Sequence, residues 1–149
     1  MISFREIADE DVEAVVHLWQ ACGLTRAWND PYKDISFARS GGASTVLVGV
    51  VEGRIAAAAM VGHDGHRGAL YYVAVEPALQ GKGFGRLTVR AAEDWLAQRG
   101  VWKINLLART ENQAVRGFYE RLGYGVNAVI CMGKVLPPRP KTGVAGGLT

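Results

Sequence analysis

The sequence predicts an α/β domain built on one mixed sheet, and three observations carry that expectation. Short apolar, β-branched runs at Thr45 to Val51, Ile55 to Gly62 and Ala69 to Val75 have the length and punctuation of strands. The first two are separated by Glu52-Gly53-Arg54, which reads as a hairpin turn. The third is followed by a glycine-rich loop, a helical pattern and a further strand, a unit that needs a right-handed crossover between parallel strands. An antiparallel hairpin beside a parallel crossover makes the sheet mixed.

The elements follow in order. Ile2 and Phe4 alternate with polar residues as a first strand. Asp9 offers a helix cap, with Glu10, Asp11 and Glu13 in an acidic first turn. Val12, Val15, Val16 and Trp19 then recur at helical spacing, with Gly23 as the stop. Asp30-Pro31 reads as a second helix start, with Tyr32, Ile35 and Ala38 as its buried stripe and Gly41-Gly42 at its end. The alanines Ala56 to Ala59 imply that something packs close to their strand. His63 to Gly68 is a polar loop. Leu87, Ala91, Trp95 and Leu96 mark a third helix ended by Gly100, and Val101 to Ala108 a strand. Asn112 begins a fourth helix, with Val115, Phe118, Tyr119 and Leu122 on its apolar face and Gly123 at its end. Val126 to Val135 supplies one more strand or two. The count is six or seven strands and four helices, in one domain over residues 1–136, with 137–149 as a flexible tail.

Composition narrows the function classes. The chain has 149 residues, 49% hydrophobic and 21% charged, the mixture of a soluble globular protein. That length buries roughly 70% of the unfolded surface, enough for a core and a cleft. The formal charge is +3, and the basic residues are scattered, which argues against a nucleic-acid binder and suits an anionic small ligand. The apolar runs are too short to cross a membrane, and Met1 to Asp11 is too polar for a signal peptide, so a cytoplasmic location is expected. Cys22 and Cys131 match no metal or redox spacing and read as reduced, mostly buried thiols. His63-Asp64-Gly65-His66 lacks the further ligands that zinc needs, so no metal is expected.

The chemistry concentrates in Val75-Glu76-Pro77-Ala78-Leu79-Gln80-Gly81-Lys82-Gly83-Phe84-Gly85-Arg86. Alternating glycines between a strand and a helix let the backbone take positive φ and let a ligand approach closely. The helix start that follows presents unpaired N–H groups and a positive dipole end, a cradle for phosphate. Lys82 and Arg86 add charge beside it. No hydroxyl residue follows Lys82, so the loop is not a P-loop, and Gly-x-Gly-x-Gly is not the dinucleotide spacing.

Gln80-x-x-Gly83-x-Gly85 resembles the Gln/Arg-x-x-Gly-x-Gly/Ala motif of GNAT acetyltransferases, and Val73-Ala74-Val75-x-Pro77 resembles that family's fourth strand and its exit. Asn112-x-Ala114-x-x-x-Phe118-Tyr119-x-x-Leu122-Gly123-Tyr124 resembles its second CoA-binding segment. The resemblance runs from Ile2 to about Val135. Trp28-Asn29-Asp30-Pro31, Gly65-His66-Arg67-Gly68 and Tyr71-Tyr72 further resemble the bacterial subgroup called YpeA-type. The resemblance implies the GNAT fold, with a mostly antiparallel mixed sheet, and transfer of an acetyl group from acetyl-CoA to a primary amine by direct attack in a ternary complex. A non-catalytic acyl-CoA-binding or sensing module is the alternative.

Residue by residue, the resemblance implies that the amides of Gln80, Gly81, Lys82, Gly83, Phe84 and Gly85 bind the CoA diphosphate with Arg86 close by. Val73 and Val75 would pair with pantetheine, and an N–H near Val73 or Ala74 would polarise the thioester carbonyl. Asn112 would contact the pantetheine arm, or cap its helix, or both. Tyr119 would be the general acid for the departing thiolate. Glu76, Asp64 or His66 could accept the amine's proton directly, or Tyr71 and backbone carbonyls could hold a water that does, the preferred reading. Trp28, Asn29, Asp30, Tyr32, Asp64 and His66 would face the acceptor. The acceptor is a small molecule, a protein N-terminus or a lysine. A homodimer is compatible with the resemblance, which implies neither a nucleic-acid nor a membrane partner.

Overall fold

The computed structural model describes residues 1–138. The chain order is β1 (Ser3–Glu6), α1 (Val12–Ala21), α2 (Pro31–Arg39), β2 (Ser44–Val51), β3 (Arg54–His63), β4 (Gly68–Val75), α3 (Phe84–Ala97), β5 (Ile104–Asn105) and α4 (Gln113–Arg121). Short 3-10 turns at Asp9–Asp11 and Pro77–Leu79 precede α1 and α3. The strands form one sheet in the order β1-β2-β3-β4-β5. Pairing is antiparallel from β1 to β4 and parallel between β4 and β5. This is the expected mixed α/β fold, with five strands among the described residues where six or seven were expected.

The alternation of strand side chains divides the core into two layers. Val46, Val48, Ala58 and Ala74 face α1 and α2, where they pack with Val15, Val16, Trp19, Ile35 and Ala38. Leu47, Val61 and Leu70 face the other way, onto Val89, Ala92, Trp95 and Leu96 of α3. Helices therefore press on β3 from both sides, and Ala56, Ala57, Ala58 and Ala59 are all completely buried. That is the close approach the alanine run implied.

Local signals explain the helix limits. Asp30 caps α2, its Oδ1 accepting from the N–H of Tyr32 at 2.9 Å and of Lys33 at 3.4 Å, with Pro31 at the first helical position. The cap expected at Asp9 is displaced. Asp9 begins the 3-10 turn, and Asp11 does the capping, its Oδ2 accepting from the Ala8 N–H at 2.7 Å and from Arg5 at 2.6 Å.

Other expectations need correction. The buried stripe of α3 is Thr88, Val89, Ala92, Trp95 and Leu96, so Leu87 is exposed and Ala91 only partly covered. The helix starts at Phe84 with its phase set by docking on β3, and Trp95 and Leu96 alone fit either phase. Tyr32 is exposed, its hydroxyl donating to Glu13 at 3.0 Å. The strand expected at Val101 to Ala108 shrinks to Ile104–Asn105, and Trp102 lies outside under the Arg67 guanidinium, 4.4 Å from its ring centroid. Val126 to Val135 forms no strand, and Cys131 within it is exposed rather than buried. The expected flexible tail lies outside the described residues from position 139 onward. Among the described residues no helix is long and apolar enough to cross a membrane.

Candidate active site

The site begins with an unpaired strand edge. β4 pairs with β3 along its length, but with β5 only through Gly68↔Ile104 and Ala69↔Asn105. Among the described residues, the outer edge of β4 beyond Ala69 has no strand beside it. The β3–β4 register shifts between Ala58 and Met60, where β4 steps from Ala74 to Tyr71 and so carries an extra residue. Tyr72, in that bulge, has φ +55. Bulges re-aim side chains and strengthen local twist, which separates neighbouring strands.

The same period fixes which main-chain groups face the gap. The Glu76 N–H donates to the Ala56 carbonyl at 2.8 Å, so Glu76 faces β3 and Val75 faces away. The Val75 carbonyl accepts from Gln80 Nε2 at 3.0 Å and from the Cys22 thiol at 3.2 Å. Val73, two residues earlier, shares that outward direction. Ala74 points its main chain toward β3 and its side chain into the α1–α2 layer, so of the three residues expected along a pantetheine arm it is the one turned away.

The glycine loop closes one end of this edge. Gly81 has φ +80, and Gly83, the N-cap of α3, has φ +86, both left-handed values that glycine adopts without strain. Among the described residues no side chain caps α3, and a Cβ at either glycine would meet nothing within 4 Å. The first N–H groups of a fourteen-residue helix thus face open space, with the exposed Lys82 and Arg86 alongside. These residues fit a bound diphosphate. Gly85 differs: a Cβ there would lie 3.3 Å from the Phe118 ring, so this glycine admits α4 rather than a ligand.

Through that contact α4 packs against the start of α3. Asn112 caps α4, Oδ1 accepting from the Val115 N–H at 3.2 Å. Tyr119 packs edge-on against Tyr124, centroids 5.5 Å apart, and burial pushes its phenol up to about 12. At neutral pH Tyr119 is a hydrogen-bond donor.

The opposite end of the edge opens into a cavity of about 460 Å³, lined by Asp34 and Phe37 of α2, His63, Asp64 and Arg67 around the β3–β4 loop, Tyr71 of β4, and Asn105 and Leu107. Asp64 Oδ1 accepts from the N–H groups of Arg67 at 2.8 Å and His66 at 2.9 Å, bonds that hold its carboxyl below the usual range. Tyr72 donates to Asp34 Oδ2 at 2.8 Å and stacks on Trp19, centroids 4.1 Å apart. Burial first, and Asp34 second, push its phenol up to about 12.

Of the expected acceptor residues and bases, Tyr71 and Asp64 line this cavity and the others do not. His66 turns outward toward Arg67, and His63 takes its place at the wall. Trp28 is exposed, Asp30 is spent on capping, Asn29 lies in the exposed turn before α2, and Tyr32 sits on the α1 side of α2. Glu76 lies just past the far end of β4, roughly 25 Å along the strand from Gly68, paired with Arg54 at 3.2 Å. Sequence reasoning missed Asp34, Phe37, His63 and Asn105. Asp34, Phe37 and Ala38 recur at i, i+3 and i+4 on α2, a spacing that could have marked one face.

Comparison with known proteins bears on the family and the fold. A sequence model of the acetyltransferase (GNAT) family matches residues 6–124. An acetyltransferase of Yersinia enterocolitica is 39% identical over 135 residues, covering 91% of this chain and 96% of that one. The ribosomal-protein-S18-alanine N-acetyltransferase of Escherichia coli superposes with a TM-score of 0.70 at 27% identity, covering 83% of this chain and 77% of that one. AAC(6')-Iy, solved with the bisubstrate analogue CoA-S-monomethyl-acetylneamine, superposes with a TM-score of 0.77 at 16% identity, covering 91% and 99%. With a family match across most of its length and the family's fold, the chain belongs to the acetyltransferase (GNAT) family of enzymes.

Proposed function

We propose that the protein transfers the acetyl group of acetyl-CoA to a primary amine by direct attack in a ternary complex. The observation that carries this reading is the open β4 edge, which runs from an uncapped helix start to a cavity in the same molecule. Bound acetyl-CoA supplies an activated acyl group. The amides of Gly81 to Gly85, with Lys82 and Arg86, hold its diphosphate, the Gln80 N–H being turned to the Pro77 carbonyl at 3.4 Å, and the outward groups of Val73 with the Val75 N–H hydrogen-bond its arm. Phe84 and Asn112 flank that path at the starts of α3 and α4.

Tyr119 donates a hydrogen bond to the departing sulfur. Its raised pKa makes it a weak acid against a thiol near 8.5, so it stabilises the thiolate as a donor before any full proton transfer. Burial raises the Cys22 thiol, and its proton is directed at the Val75 carbonyl, which disfavours a covalent acetyl-enzyme and favours direct attack. The analogue seen in AAC(6')-Iy, a CoA group joined to an acceptor, is compatible with the same geometry. The segments around Trp28, Gly65 and Tyr71 resemble those of the YpeA-type subgroup.

Thiol release measured over a panel of amines, beside calorimetric titration with acetyl-CoA, tests the reading. Acetyl-CoA binding with amine-dependent thiol release is expected. Absence of binding overturns the assignment, and binding without release by any amine supports the sensing alternative.

A further inference from the structure

We infer that Asp34, oriented by Tyr72, binds the acceptor's ammonium group and takes its proton, and that the acceptor is a cationic amine carried on an apolar arm. The inference rests on the acetyl-transfer reading above and supplies its missing base.

Three observations lead to Asp34. It lines the cavity at the end of the open β4 edge. Its Oδ2 is held at 2.8 Å by the hydroxyl of Tyr72, the bulge residue of the strand along which the thioester would lie. Among the described residues Oδ1 has no partner, so one oxygen remains for an ammonium. The competing carboxylates are less suited. Glu76 is paired with Arg54 away from the cavity, and Asp64 has its Oδ1 held by two backbone N–H groups of its own loop, which keep its carboxyl below the usual range and make it a poor base.

The walls select the rest of the acceptor. Phe37, Met60, Tyr71 and Leu107 offer apolar surface. Arg67 is the cavity's guanidinium, and it is committed elsewhere, stacked over Trp102 and donating to the His66 carbonyl at 3.1 Å. A carboxylate or phosphate on the acceptor would therefore meet carboxylates rather than a free cation. The step balances simply. Asp34 accepts one proton from R–NH3⁺, and the freed lone pair forms the C–N bond as the C–S bond breaks. The thiolate is protonated from the nitrogen's second proton by way of Tyr119 or solvent, and Asp34 returns its proton to solvent.

The test compares hexylamine with 6-aminohexanoate, which share an arm and differ by a carboxylate. With CoA-loaded wild-type protein, calorimetry should show hexylamine binding about 10-fold or more tightly than 6-aminohexanoate, and kcat/KM should follow. Asp34→Asn keeps an acceptor for the Tyr72 hydroxyl. It should weaken hexylamine binding about 10-fold or more and cut kcat, with acetyl-CoA affinity unchanged. Tyr72→Phe should lower kcat with a smaller change in hexylamine affinity. Equal binding of the two amines, or an Asp34→Asn protein with wild-type amine affinity and kcat, overturns the inference. Loss of acetyl-CoA binding by wild-type protein would instead overturn the function beneath it.

Discussion

The three glycines of the cradle do different physical work, and substituting them one at a time separates those roles. Gly83→Ala forces a Cβ into a left-handed conformation at φ +86, which costs about 1–2 kcal/mol. Nothing lies within 4 Å of that Cβ, so no packing cost adds to it. For a chain of this length the melting temperature should fall by roughly 2–8 °C. The added methyl occupies the space assigned to the diphosphate, so ligand stabilisation should fall as well. At 100 times the wild-type Kd, ligand contributes about 2.7 kcal/mol, and a 10-fold weaker Kd would reduce that to about 1.4 kcal/mol. Gly85→Ala has no such backbone cost; its Cβ presses on Phe118 at 3.3 Å, at about 1–3 kcal/mol, of which the helical preference of alanine over glycine offsets about 0.5–1 kcal/mol. Adding Phe118→Leu should relieve Gly85→Ala and leave Gly83→Ala unchanged. Thermal melts of the wild type and the four variants with and without acetyl-CoA read all of this. A Gly83→Ala protein with wild-type melting and a wild-type ligand shift would refute the reasoning.

Tyr119→Phe should retain acetyl-CoA affinity by calorimetry and lose roughly 100-fold in kcat; unchanged turnover would remove Tyr119 from the chemistry. Glu76→Gln should alter stability by no more than about 1 kcal/mol, because its partner Arg54 is largely exposed, and leave kcat intact; a large loss of rate would restore Glu76 as the base. Asp11→Asn should destabilise by about 1–3 kcal/mol, since Arg5 and the Ala8 N–H both bond its carboxylate. The Arg5 hydrogen bond, with that from Ala8 in support, lowers the Asp11 pKa in the folded state. Its stabilisation is therefore present above the unfolded value near 3.9 and is lost as pH falls through the lower folded value. Urea unfolding should show the variant and the wild type converging only in that acid range.

The sequence was most legible where residue type and local geometry determine each other. Asp30-Pro31 has the cap-then-proline pattern of a helix start, and it is one. Alternating glycines after Val75 require a ligand approach or a close contact, and the structure uses two for the first and one for the second. The failures come from tertiary choices. Leu87 and Ala91 fit a helical period, but docking on β3 selects the neighbouring phase through Val89 and Ala92. Val101 to Ala108 has strand composition, yet among the described residues it pairs with β4 only at Gly68 and Ala69, short of the bulge at Tyr72. The acceptor end was read from the loop before α2, because Trp28 and Asp30 look chemical in isolation. The cavity instead takes the face of α2 carrying Asp34 and Phe37, which only the approach of Tyr72 distinguishes from its neighbours.

Tyr72 joins these threads. A non-glycine residue at φ +55 in a strand costs of order 1–3 kcal/mol and persists only where its surroundings over-determine it. Here the ring is stacked on Trp19 and the hydroxyl is fixed on Asp34, two contacts worth together about as much as the strain. Regular pairing at this point would let β5 continue along β4 and would cover the Val73 and Val75 main-chain groups. The bulge thus leaves a strand edge open beside the glycine cradle and, through the same side chain, aims a carboxylate at the cavity beyond it. One backbone irregularity sets both the bed for the acyl donor and the direction from which an acceptor can reach it.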